Sequence, residues 1–288
     1  MTTIEDTKTE AAVVANLQRQ ADGEAHEPIH AGEIYLVPDG DGSLEIVDTD
    51  EWADTPRRIT ANRVVTDAAS FASYVNRHKT DGTEVFAHTN SASIVAVIDS
   101  HEGTNRDGGW QKHRLTLSLE HSKPWLAWSR ADGNWFDQDE FAEFLENRYS
   151  EVIDPDPARM IDIATTFEAK KGVDFKSGIR TDSGEVKLQF EETVKAKAGQ
   201  KGELEIPKKI QLALRPYVGG PIYSIWANFR YRITASGLRL GFILERPENI
   251  LDAAFADVVT DVVNGREDSD TLPGFQGIAD TPLFYGKP

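Results

Sequence analysis

The chain has 288 residues, 39% of them hydrophobic, no cysteine, and a formal net charge of −17. That length buries a sizeable core without disulfide or metal support. The missing thiols exclude cysteine nucleophiles and Cys-ligated zinc sites, leaving His, Asp and Glu as candidate ligands. No stretch approaches the roughly 18 apolar residues of a membrane span, and the N-terminus lacks a basic start followed by an apolar run, so a soluble protein of the cytoplasm is expected.

The acid is unevenly spread. Residues 1–56 carry 14 acids against 2 bases, and residues 247–288 carry 8 against 2, which leaves the middle of the chain close to neutral. Acidic ends keep a protein soluble, and they leave room for a local basic groove in the body.

Residues 1–28 read as a flexible acidic arm with one short helical pattern, "AAVVANLQRQA", whose Val13, Val14 and Leu17 fall on one stripe. A helix this short is marginal in water without a partner. The segment is therefore either a mobile tail or an arm that docks on a neighbouring subunit, and Val13, Val14 and Leu17 are its candidate assembly contacts. "EIYLVP" and "SLEIVDT" around "DGDGS" then predict a hairpin through the Asp-Gly pairs. Asp39 and Asp41 resemble the start of a calcium loop, but such a loop is flanked by helices, and strands are expected here.

"TDAASFASYVNRHKTDG" predicts a helix capped by Thr66 or Asp67 and stopped at Gly82, with Phe71, Tyr74 and Val75 on one face. Strand material surrounds the Asn-Ser turn of "EVFAHTNSASIVAVIDS", and "HRLTLSLEH" alternates Leu115, Leu117 and Leu119 with polar residues, as a half-buried antiparallel strand does. "PWLAWSR" follows. "DQDEFAEFLENRYSEVI" predicts a helix starting at Asp137, and "DPDPARMIDIATTF" one entered through Pro157. From 175 to about 246 the pattern is alternating runs split by Gly-containing turns, an antiparallel meander. "NILDAAFADVVTDVVNG" closes as a helix with Gly265 past its end. The class is α+β, a largely antiparallel sheet meander with segregated helices. The expected organisation is an arm over 1–28, one body over 29–265 with a subdivision near 170, and an extended tail over 266–288.

The succession "VAVID", "GGWQKHRLTLSL", "PWLAW", "FAEFLEN", "DPDPARMIDIA", "IP", "VGGPIY" and "FRYRI" resembles the YfdQ-like family of phage and prophage proteins, a domain of unknown function. The resemblance runs from about residue 60 to about residue 250. It implies a phage or prophage setting, often beside genes for recombination or replication, and it supplies no catalytic residues.

Residues 95–119 are the first place to look for chemistry, because Asp99, His101, Glu102, Asp107 and His113 crowd a short span. The zincin helix needs a second His four residues after the first, and position 105 is Asn. A hairpin with Gly108 and Gly109 at its turn, and with His101 and His113 opposing each other across two strands, explains the segment without an ion. No G-x-S-x-G elbow, phosphate loop or dinucleotide fingerprint occurs. Asp137 with Glu140 sits where helix capping accounts for both. "VGGPIY" lacks the Lys-Ser/Thr of a nucleotide loop and reads as a turn. No catalytic, cofactor-binding or metal-ligating residue is assigned, and no cofactor is expected.

The meander carries the remaining constellation. Residues 170–215 hold 11 bases against 7 acids, and Lys187, Lys195, Lys197, Lys208, Lys209, Arg230, Arg232 and Trp226 are candidate contacts for nucleic acid or a subunit, since single-strand binders combine cationic grooves with stacking aromatics. Phe229 and Tyr231 share one strand face while Arg230 and Arg232 share the other, which an ordinary half-buried strand also does. Trp125 and Trp226 are both expected in the core. The expected function is a non-enzymatic, phage- or prophage-encoded protein that associates with itself. The alternatives are an accessory protein of phage DNA recombination or replication that binds nucleic acid through the basic strands, and a metal enzyme built on Asp99, His101 and His113. The partner expected first is a second copy, then nucleic acid, with no membrane. The host cytoplasm is the expected location, with virion association left open.

Overall fold

The computed structural model describes residues 14, 30–38, 43–102, 107–180, 186–197, 206–234, 237–270 and 272–288, with side chains left aside at 38 and from 168 to 197. Contacts divide the chain between Thr60 and Ala61, later than the boundary at 28 expected from composition. Of the proposed arm contacts, Val14 is exposed, while Val13 and Leu17 lie outside the described residues.

In the first unit, β1 (Ile34–Pro38) and β2 (Leu44–Asp48) pair antiparallel with Leu36 opposite Ile46. The Asp-Gly turn itself falls outside the described residues. Side chains alternate across a strand, so this register puts Ile34, Leu36, Leu44 and Ile46 on one face, and all four are exposed. The end of the hairpin is tied by Thr49, which is fully buried; its hydroxyl donates toward the carbonyls of His30 and Glu33 and accepts the Glu33 N–H. Arg57 then pairs with Asp48 and Asp50.

In the second unit, β3 (Ala61–Val65) leads to α1 (Ala68–His78). Asp67 caps this helix by accepting the Ser70 N–H at 2.7 Å, which satisfies one of the orphan donors of the first turn. Phe71, Ala72 and Val75 are buried at helical spacing. β4 (Glu84–His88) and β5 (Ser93–Val97) pair antiparallel. The short β6 (His101–Glu102) and β7 (Asp107–Gly108) pair with each other ahead of β8 (His113–Ser118), in which His113, Leu115 and Leu117 are buried in strict alternation.

"PWLAWSR" forms α2 (Lys123–Ala131), where Ser122 accepts the Trp125 N–H and a proline stands in the first turn. After β9 (Trp135–Phe136), α3 (Gln138–Glu146) starts at a complete capping box between Asp137 and Glu140. β10 (Val152–Asp154) precedes α4 (Pro157–Thr166), again with proline at its start. β11 (Glu168–Arg180) and β12 (Val186–Lys197) make a long antiparallel pair. β13 (Lys209–Leu214), β14 (Tyr223–Thr234) and β15 (Gly237–Leu244) are the predicted meander. α5 (Pro247–Asn264) ends at Gly265, whose φ of +81° suits glycine.

The expected tail does not stand apart. β16 (Gly265–Arg266) pairs with β17 (Phe275–Gln276), and β18 (Leu283–Tyr285) joins β4 as a parallel edge strand. Of the two five-stranded sheets, one runs β10-β13-β14-β15-β9 and the other β18-β4-β5-β8-β3. The second is antiparallel at its centre, with β3 and β18 parallel to their neighbours at the two edges. Each sheet has its own core. Trp128, Phe141, Leu145, Met160 and Ile163 from α2, α3 and α4 pack with Leu212, Phe229 and Phe242 of the first. Phe71 and Val75 of α1, with Phe255 and Val259 of α5, pack with Ile94, Leu115 and Leu117 of the second. The architecture is α+β, with mostly antiparallel sheets.

Candidate functional site

The histidine-rich segment is held by backbone interactions. The Asp99 carboxylate accepts the N–H groups of Lys112 and His113 at 3.0 and 2.9 Å, closing the excursion between β5 and β8. His101 and His113 do not oppose each other as expected: the backbone partner of His101 is Gly108, and the residue opposite Arg114 is Val97. The extra β6–β7 pair, invisible to a count of hairpin loop length, separates the two histidines. His101 Nε2 lies 3.2 Å from a Glu84 carboxylate oxygen. His113 is buried, with Nε2 2.9 Å from the Tyr74 hydroxyl and its ring 5.6 Å from that of His78. Among the described residues no group of three or more His, Asp or Glu is placed to hold a metal ion.

Burial holds the His113 imidazole below its ordinary value; His78 lowers it further, and Asp99 opposes the shift. The unfolded chain, titrating near 6.5, therefore binds this proton more readily than the folded one. Stability rises with pH wherever the unfolded state binds more protons, so His113 costs nothing well above that pH and subtracts stability as the pH falls through it. Thermal melts between neutral and mildly acidic pH should show Tm falling with acid, and His113→Gln should flatten that slope. Parallel slopes for the two proteins would assign the acid sensitivity elsewhere.

The meander offers the other surface. Along β14 the inner face carries Ile225, Ala227 and Phe229, all buried, and the outer face carries Ser224, Trp226, Arg230 and Arg232, all exposed. Trp226 shares parity with the arginines and not with Phe229, so it is 38% exposed while Trp125 is 2% exposed; its expected core position is corrected. Register adds residues that chain order did not reveal. Arg239 of β15 stands opposite Arg232, and Trp135 of β9 lies under Arg232, with the guanidinium carbon 4.2 Å from the indole ring centre. Lys209 pairs with Glu245 at 2.7 Å, and that hydrogen bond draws the Glu245 carboxyl below its ordinary value. A groove of about 530 Å³ beside Trp226 is also lined by Asn228, Glu245, Arg246 and Asn249.

Of the predicted contacts, the structure brings Trp226, Arg230, Arg232 and Lys209 onto one sheet, with Lys208 just before β13. Lys187, Lys195 and Lys197 are placed on β12 by backbone pairing alone, and their side chains lie outside the described residues. The missed residues Arg239, Trp135 and Arg246 had only a partial signal. Alternation in "GLRLGFIL" sets Arg239 against Leu238 and Leu240, but which face it joins depends on pairing. "VGGPIY" is indeed the connection between β13 and β14, and Asp137 and Glu140 are both engaged in the α3 cap.

The fold and surface define an α+β protein whose candidate site is an exposed basic and aromatic sheet face. The family model for an uncharacterized conserved protein, DUF2303, matches residues 5–276, and the chain belongs to that family. No curated protein and no solved structure matches the chain. Among the described residues no helix is long and apolar enough to cross a membrane.

Proposed function

We propose that this chain is a YfdQ-like protein of a phage or prophage that acts in the host cytoplasm by assembling with copies of itself rather than by catalysing a reaction. The observation that carries the reading is the open face of the β1–β2 pair, where Ile34, Leu36, Leu44 and Ile46 are 59 to 69% exposed. A two-stranded hairpin is marginal in water by itself, and covering an aliphatic side chain contributes about 1.5 to 3 kcal/mol when burial is complete. A second copy supplies the complementary surface, because a two-fold contact places the same stripe on both sides. The groups that sequence offered for chemistry already have structural work: Asp99 closes a hairpin and Asp137 caps a helix.

The acid of residues 1–56 gives this contact a recognisable salt dependence. Two acidic hairpins repel until salt screens them, so assembly should strengthen with ionic strength. Size-exclusion chromatography with light scattering at micromolar protein is expected to give a discrete oligomer. Leu36→Glu with Ile46→Glu, which sets two carboxylates opposite each other in the stripe, should reduce it to the monomer without changing the melt of the second unit. A wild-type chain that is strictly monomeric, or a double variant that keeps the oligomeric mass, would overturn the proposal.

A further inference from the structure

We infer that the outer face of the β13–β14–β15 sheet binds single-stranded nucleic acid, with phosphates held by Arg230, Arg232 and Arg239 and a base stacked on Trp226. The inference uses a different surface from the self-assembly reading and is independent of it.

The first support is a local electrostatic conflict. Arg232 stands directly opposite Arg239, with Arg230 two residues along the same face. Like charges directly opposite each other destabilise an antiparallel pair. No acid occurs from 208 to 244 to relieve them, and the first one after it, Glu245, is held by Lys209. Among the described residues no ion pair involves Arg230, Arg232 or Arg239; a local rule broken without such compensation is expected at functional sites, and the charge that would balance it is an anion. A polyanion supplies it at regular intervals. Residues two apart on a strand repeat every ~6.8 Å, so Arg230 and Arg232 offer successive anchors to an extended backbone.

The second support is the form of the site. Arg232 is fixed by its stacking on Trp135, so less side-chain freedom is lost on binding. The exposed Trp226 ring borders the groove that Arg246 also lines. Arg246 has φ 50° and ψ 56° immediately before Pro247, a left-handed conformation that costs a non-glycine residue of order 1 kcal/mol or more and persists where the surroundings impose it. An accessible indole beside Arg246, on the same strand face as Arg230 and Arg232, suits an unpaired base, since every base has a π-face, whereas the bases of a duplex are already stacked. An acidic peptide would satisfy the arginines but leave the indole unused.

The test is fluorescence anisotropy of the full chain with labelled oligo-dT and oligo-U at salt from ~50 to ~200 mM. Binding of either oligomer supports the inference, and a preference between them identifies the sugar. Three phosphate contacts at roughly 0.7 each predict a slope of about −2 for log K against log salt. Arg232→Gln and Arg239→Gln should each flatten the slope by about 0.7. Trp226→Ala should weaken binding about tenfold, with Trp226→Phe restoring most of it. All three positions lie on the outer face, and unchanged circular-dichroism melts confirm that the variants fold. The inference is overturned if neither oligomer binds at ~50 mM salt, if the three variants bind as wild type does, or if poly-glutamate or duplex DNA competes as well as the single strands.

Discussion

Trp128→Ala is expected to destabilise the second unit by about 3 to 5 kcal/mol, lowering Tm by roughly 10 °C for a unit of this size. The indole is fully buried, with its ring 4.9 Å from Phe242 and 5.0 Å from Phe144, and its N–H donates to the Glu151 carboxylate. Alanine opens a cavity between α2, α3 and β15 that the surrounding aromatic rings cannot fill without leaving their own contacts, and it strips a half-buried carboxylate of its donor. Trp226→Ala supplies the contrast. That ring stands on the solvent side of β14, so its removal is expected to cost less than about 1 kcal/mol. Thermal and urea melts of the two variants separate packing from surface: a similar loss for both would mean that the outer sheet face is covered by protein in solution.

Trp125 and Trp226 mark where sequence reasoning reaches and where it stops, since both are expected in the core and only Trp125 lies there. The helices at Asp67, Asp137 and Pro157 were legible because caps and first-turn prolines act within four residues, and Leu115 and Leu117 because alternation is a property of the strand alone. Trp226 departs from its expected core position, and the alternation of "SIWANFRYR" gives the reason: residue 226 has the parity of Arg230 and Arg232, opposite to Phe229 and Tyr231. Arg239 and Trp135 needed more than alternation. They join Arg232 only through the pairing of β15 with β14 and β9, and pairing depends on contacts distant in sequence. The parallel edge strands β3 and β18 were unreadable for the same reason, since each finds its partner roughly 50 or 200 residues away along the chain. The exposed stripe of β1 and β2 lies between these cases: the hairpin was legible, but whether its apolar face is covered is a tertiary fact.

Gly109→Ala should be nearly as damaging as the tryptophan change, at about 3 kcal/mol, the upper end of ordinary overpacking. A Cβ on Gly109 would lie 2.0 Å from the Asp99 carbonyl oxygen and 2.9 Å from the Ser100 carbonyl carbon. Both obstacles are backbone, so no rotamer change relieves them, and the strands must part. Parting them removes the Gly109 N–H bond to Ser100 and the Gln111 N–H bond to Asp99, then loosens the Asp99 carboxylate from Lys112 and His113. Gly108→Ala is the control, because a Cβ there meets nothing within 4 Å; it is expected to leave the melt within about 0.5 kcal/mol of wild type. Two glycines side by side thus predict opposite outcomes on geometry alone. Equal melts would show that the approach of 109 to 99 is not maintained in solution. A large gap would establish that the close approach of Gly109 to the Asp99 backbone holds this histidine-rich hairpin closed.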